Sequence, residues 1–145
     1  MNKYNKLLVV LRVSIGWIFL YAGIAKILDS EWTSAGYLEH AQTFPSLFNW
    51  FASPGNIGWI DFINQWAPLL IGIALILGIG MRWASWSGIA LMVLYYVPVL
   101  HFPYVGEHSF LIDEHVIYSL VLLVLYYGKA GDHFSLASLI SKKSS

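Results

Sequence analysis

Apolar residues dominate four stretches of this 145-residue chain, at about 7–28, 60–80, 83–102 and 109–128. A helix needs about 20 mostly apolar residues to cross the hydrocarbon core of a bilayer. Hydrocarbon offers no partner to backbone N–H and C=O groups, so a spanning segment must satisfy them internally, as a helix does. None of the four stretches has the period-two alternation of a barrel strand. The pattern therefore predicts an all-α fold, an integral membrane four-helix bundle that forms one domain over 1–145. The first stretch begins like a signal peptide. Its apolar run continues to about Leu28, beyond the roughly 7–15 residues of such a leader, and it is read as a retained span.

The long connection at 29–59 is rich in aromatics and punctuated by Pro45, Pro54, Gly55 and Gly58. It predicts two short amphipathic segments, near 34–43 and 46–52, lying on the outer membrane surface. Trp32, Trp50 and Trp59 suit the aromatic belt there. Such a loop serves as an interfacial anchor or as a lid over the outer end of the bundle.

Charge sets the direction. Lys3 and Lys6 precede the first span, Arg82 lies in the turn between the second and third, and Lys129, Lys142 and Lys143 follow the fourth. With four spans these all fall on one side. Asp29, Glu31, Glu39, Asp61, Glu107, Asp113 and Glu114 fall on the other. The bias of Lys and Arg toward the cytoplasm places both termini there, in a multi-pass plasma-membrane protein.

Composition narrows the function. Hydrophobic residues make up 58% and charged residues 11%, against about 25% charged in a soluble domain. The absence of cysteine removes disulfides, thiolate metal sites and dithiol chemistry. A net charge of zero gives no basic arm for nucleic acid. There is no haem or iron–sulfur motif, so no covalently bound cofactor is expected.

The candidate chemistry gathers at the outer end. Val116–Tyr127 covers only about 18 Å of a core about 30 Å thick. The fourth helix is therefore expected to begin near Ser109 and to carry Asp113, Glu114 and His115 just inside the membrane. Glu114 and Tyr118 share one stripe, and His115 and Ser119 another; both are expected to face the bundle. The competing reading is a plain polar helix end. Lys26, the basic residue of the outer side, is expected to pair with Asp29, Asp61, Asp113 or Glu114. Asn64, Gln65 and Trp66 lie one turn inside the second span. Pro68 leaves the carbonyl of Asn64 without its helical donor and predicts a kink. Arg12 is expected to snorkel to the cytoplasmic interface. The alternative for it is an interior hydrogen-bond hub with Ser85, Ser87 or backbone carbonyls. His101, His108 and His115 recur every seven residues and would form a metal face on one helix. Pro98, Pro103 and Gly106 break that helix, so no metal site is assigned.

Three pieces form a recognisable set: the early Arg12 with "GIAK" at 23–26, the "LGIGMRW" turn, and "GKAGDHFSL" after the last span. The chain resembles the DoxX/DoxD family of small four-helix membrane proteins. That resemblance implies Arg12 and Lys26 as family-type positions. It also implies a redox context, since one branch contains the quinone-reducing membrane subunit of thiosulfate:quinone oxidoreductase, which works beside a second subunit. Relatives commonly carry a glutamate near Gln65, a point of departure here. The expectation is a quinone-interacting subunit with electrons supplied by a partner protein. Glu114 and His115 would move protons, and Lys26, Gln65, Trp66, Tyr118 and Asp113 would contact the substrate. Arg12 and Pro68 are structural. The alternatives are a non-catalytic accessory or scaffold subunit, or a homo-oligomer, and lastly a small-molecule transporter.

Overall fold

The computed structural model describes residues 2–143. The chain is mostly helical, and four long helices build its core: α1 (Lys3–Leu28), α4 (Ile57–Leu77), α5 (Met81–Val99) and α6 (Glu114–Tyr127). Two short helices, α2 (Ala35–Glu39) and α3 (Pro45–Ala52), lie in the first connection, close to the expected amphipathic segments. A short α7 (Leu136–Lys143) ends the described chain.

Local chemistry fixes the ends. Asn2 Oδ1 accepts from the Asn5 amide at 2.8 Å and caps α1. Gly78, at φ +69°, closes α4 in the left-handed conformation that glycine adopts without strain. An added Cβ there would also strike Ser135 Cβ and Arg12 Nη1, at 2.5 and 2.6 Å.

Packing is tightest between α1 and α4. A Cβ on Gly72 would sit 2.3 Å from the Leu20 amide nitrogen, and one on Gly23 would sit 2.6 Å from that of Leu69. Only glycine lets the two backbones approach so closely. The shared core holds Ile15 and Phe19 from α1, Ile71 and Leu75 from α4, Leu91 and Met92 from α5, and Leu122 and Leu125 from α6.

The outward faces are apolar as well. Leu7, Val10, Trp17, Leu70, Leu94 and Leu120 are all exposed. Of the most apolar stretch of α1 only 33% is buried, and of α4 only 22%. The core helix of a soluble protein would be mostly covered. A helix that is hydrophobic all round and left uncovered needs lipid around it. α1 and α4 are long and apolar enough to cross a membrane, and α6 is apolar but shorter.

One expectation fails where the third and fourth helices are joined. The third helix stops at Val99, within three residues of its expected end, but the fourth does not start near Ser109. Between them lies a three-stranded antiparallel sheet, β1 (Leu100–His101), β2 (Tyr104–Val105) and β3 (Ser109–Phe110), in that order. The span-length argument took regular helix as the way to fill membrane depth. Instead the chain folds this hairpin over the helix ends, and α6 starts where Asp113 caps it.

Arg12 does not snorkel. It is 1% exposed. Nη1 donates to the carbonyls of Ala130 (2.6 Å) and His133 (3.0 Å), and Nη2 donates to that of Phe134 (2.7 Å). The segment after α6 turns back into the helix ends, burying Ala130 and Ser135, and so offers its carbonyls to the guanidinium. Of the alternatives, the hub fed by backbone carbonyls is the one the structure adopts.

Candidate functional site at the hairpin end

A cavity of about 640 Å³ opens at the end of the helices opposite Arg12. α1 supplies Lys26, α4 supplies Asn64, α5 supplies Tyr95, and α6 supplies Glu114 and His115 behind their cap Asp113. α2 and the segment before it cover the cavity with Tyr37 and Trp32, and Gly106–Ser109 of the hairpin form its mouth.

Lys26 is placed by a proline. A helix breaks one backbone hydrogen bond at each internal proline, and Pro68 leaves the Asn64 carbonyl without its donor. In a low-dielectric setting another group must take that role. Lys26 Nζ donates to Asn64 O at 3.3 Å and to Tyr95 Oη at 3.1 Å. The ammonium also lies 4.9 Å from the ring centres of both Trp32 and Tyr95, a cation–π arrangement. Two of the expected carboxylate partners are occupied elsewhere. Asp61 Oδ1 accepts from the Ser34 amide (2.8 Å) and hydroxyl (2.6 Å). Asp113 holds His115. Among the described residues Lys26 forms no ion pair, so its charge is held by neutral groups and faces the cavity.

The Asp113 carboxylate does two things at once. Oδ1 accepts from the amides of His115 (3.0 Å) and Val116 (3.3 Å), satisfying donors that a helix start leaves unpaired. Oδ2 lies 2.6 Å from His115 Nδ1. A carboxylate accepts, so Nδ1 carries the proton and Nε2 is the nitrogen left to serve the cavity. The His115 ring meets Tyr95 edge to face at 6.2 Å. Glu114, one residue along, is exposed on the cavity wall.

Tyr37 donates from its hydroxyl to the Tyr95 carbonyl, tying α2 to α5. Burial, then the negative charges of Asp113 and Glu114, push its pKa up to about 12. It is neutral at pH 7 and remains a donor.

Two more strongly apolar recesses adjoin this chamber. One, about 140 Å³, is bounded by Ile18, Phe19 and Ala22 of α1, Pro68 of α4, Met92 of α5 and Tyr118 of α6; it shares Lys26, Tyr95, Glu114 and His115 with the chamber. The other, about 200 Å³, lies under α2 and α3 among Leu38, Phe48, Phe51 and Ile60 and shares Tyr37, Asn64 and Tyr95. Polar side chains thus gather in the chamber, and its flanks are apolar.

The expected residues divide. Lys26, Asp113, Glu114 and His115 converge on the cavity, and Tyr118 lines its recess. Gln65 and Trp66 line neither the chamber nor its recesses; Trp66 is 40% exposed and lies against Phe62. Asn64 stands where Gln65 was expected. His101 and His108 sit exposed on the hairpin, away from a common helix face with His115. Among the described residues no three His, Asp or Glu side chains gather closely enough to hold a metal. Tyr37 and Tyr95 went unread. Only a partner for Lys26 could have singled out Tyr95 from the neighbouring Tyr96.

The model of the DoxX family matches residues 7–101, more than half of the chain. The match includes the connection between α1 and α4 and stops before β2 and α6. No curated protein and no solved structure matches the chain.

Proposed function

The chain belongs to the DoxX family, and we propose that it is a redox-linked membrane subunit that binds a quinone at its hairpin end. One observation carries this reading: a chamber that holds a cation and a carboxylate–imidazole pair shares lining residues with two more strongly apolar recesses. A quinone has the matching character, a ring with two carbonyl oxygens joined to an isoprenoid tail. The recess at Ile18, Ala22 and Tyr118 lies between α1 and α6, the most loosely packed neighbours in the ring of helices. It gives a lipid-borne tail a way in.

In this reading each side chain has a task. Lys26 donates to a ring oxygen and stabilises the negative charge that reduction builds there. His115 delivers a proton from Nε2 while Asp113 holds the ring and stabilises its charged form. Glu114 serves the second oxygen. Two electrons and two protons convert quinone to quinol. The electrons come from a partner redox protein, because no side chain here carries them. α1, α4, α5 and α6 are the four spans, the termini face the cytoplasm, and the cavity faces out of the plasma membrane.

The test is purification in mild detergent with identification of extracted small molecules and co-purifying proteins. Bound quinone, with quinone reduction lost in Glu114→Gln and His115→Ala while helicity is kept, supports the proposal. A second reading, an accessory subunit, draws on the exposed hairpin aromatics Phe102, Tyr104 and Phe110. A stoichiometric large partner, no quinone and no effect of Glu114→Gln would favour it.

A further inference from the structure

We propose that the His115–Asp113 pair exchanges protons with the aqueous phase on the hairpin side alone, so that the quinone chemistry is sided. The inference rests on the quinone reading for its consequence, though not for its geometry.

The opening is polar. Glu107 and His108 at the cavity mouth have side chains 92% exposed, whereas those of His115 and Asp113 are only 19% and 10% exposed. The titratable groups around His115 are Asp113, Glu114 and Tyr118 on α6, Lys26 on α1, Tyr95 on α5, Tyr37 on α2, and Glu107 and His108 on the hairpin.

The opposite direction is closed. From Lys26 down to Arg12 along α1 is about 21 Å at 1.5 Å per residue. The helices fill that depth with Phe19 (2% exposed), Leu75 (0%), Leu91 (5%) and Leu122 (0%). Gly88 adds no gap, because Leu122 Cδ1 lies 2.7 Å from where its Cβ would be. Beyond His115 on α6, Tyr118 lines the recess, and the hydroxyl of Ser119 is spent on the His115 carbonyl at 2.8 Å. Proton transfer needs a chain of polar groups or waters, and a dry apolar layer offers neither. The recess between α1 and α6 leads to hydrocarbon.

The consequence is a fixed balance. When a redox partner supplies two electrons and one quinone is reduced, both protons leave the hairpin-side water. When one quinol gives its two electrons to an oxidised partner, both are released there.

The absence of cysteine makes a direct test available. Single-cysteine variants Glu114→Cys, Tyr118→Cys, Ser109→Cys and Leu122→Cys are reconstituted in sealed vesicles. Labelling of Ser109→Cys by a membrane-impermeant thiol reagent identifies the hairpin side. A permeant maleimide then reads the thiolate fraction while the pH of each side is set separately. Below a thiol pKa of about 8.5, the rate at Glu114→Cys is expected to rise about tenfold per pH unit on the hairpin side and to ignore the other side. Tyr118→Cys repeats the reading should Glu114→Cys fold poorly, and Leu122→Cys is expected to resist impermeant reagent from both sides. A rate that follows the far-side pH, or reaction of Leu122→Cys from that side, overturns the inference. Both outcomes are independent of quinone: one-sided alkylation without quinone binding would remove the redox reading and leave the sidedness standing.

Discussion

Replacing Arg12 with methionine keeps a long side chain in place and removes all three of its hydrogen bonds to the segment after α6. A hydrogen bond from a charged donor contributes about 1.5–3 kcal/mol, so three at full strength sum to about 5–9 kcal/mol. That sum is a ceiling. The segment can detach and let water reach its carbonyls, which caps the loss at the free energy of docking the segment. Each carbonyl left without its donor costs about 1–3 kcal/mol, so losing all three donors costs at least about 3 kcal/mol. At that figure the open population rises about 100-fold, since about 1.4 kcal/mol is a factor of ten. The assay is limited trypsin digestion in lipid nanodiscs, following cleavage after Lys129. Arg12→Met should be cut about 100-fold faster than the unaltered protein while α1–α6 stay helical. Arg12→Lys, with a smaller set of donors, should fall between. Equal cleavage rates in Arg12→Met and the unaltered protein would refute the clamp and restore the snorkelling residue that the sequence suggests.

Pro68→Ala gives the Asn64 carbonyl back its helical donor and takes a partner from Lys26; helicity should persist while quinone affinity falls several-fold, and unchanged affinity would separate the proline from the site. Gly72→Ala places a methyl group against the Leu20 backbone and should cost several degrees of thermal stability, whereas Gly36→Ala, with open space around it, should shift the midpoint little. Tyr37 has a folded pKa near 12 above its ordinary value of 10.0, so its contribution to stability is complete below pH 10 and is lost as pH rises through about 12. Difference titration of phenolate absorbance between the unaltered protein and Tyr37→Phe should isolate one group ionising near 12; a component near 10 would contradict the tie between α2 and α5.

Helices were legible where apolar length decided them. α1 and α4 sit within a few residues of the stretches that hydropathy marks, because lipid leaves the backbone no other arrangement. The hairpin end was harder. A count of residues against membrane thickness extended α6 back to Ser109, yet the Asp113 carboxylate gains two amide donors and an imidazole by capping the helix at Glu114. A side chain able to cap competes with helix continuation, and depth alone cannot weigh that. Lys26 shows the same limit. Four carboxylates that the expected topology brings near it suggested an ion pair, but Asp61 and Asp113 were committed to local partners. The acceptor came from Pro68, whose effect on the Asn64 carbonyl was readable and whose beneficiary was not. Arg12 required knowledge of a chain reversal more than a hundred residues later.

The central claim is that a quinone seats at the hairpin-end cavity against Lys26 and His115. The most direct measurement is titration of the protein in lipid nanodiscs with a short-chain ubiquinone analogue, read by quenching of tryptophan fluorescence, with Trp32 on the cavity wall as reporter. Saturable quenching is expected in the unaltered protein. It should weaken at least tenfold in Lys26→Met and His115→Ala and disappear as a signal in Trp32→Phe. Quenching that rises linearly with partitioned quinone, or saturates identically in all three variants, would contradict the account.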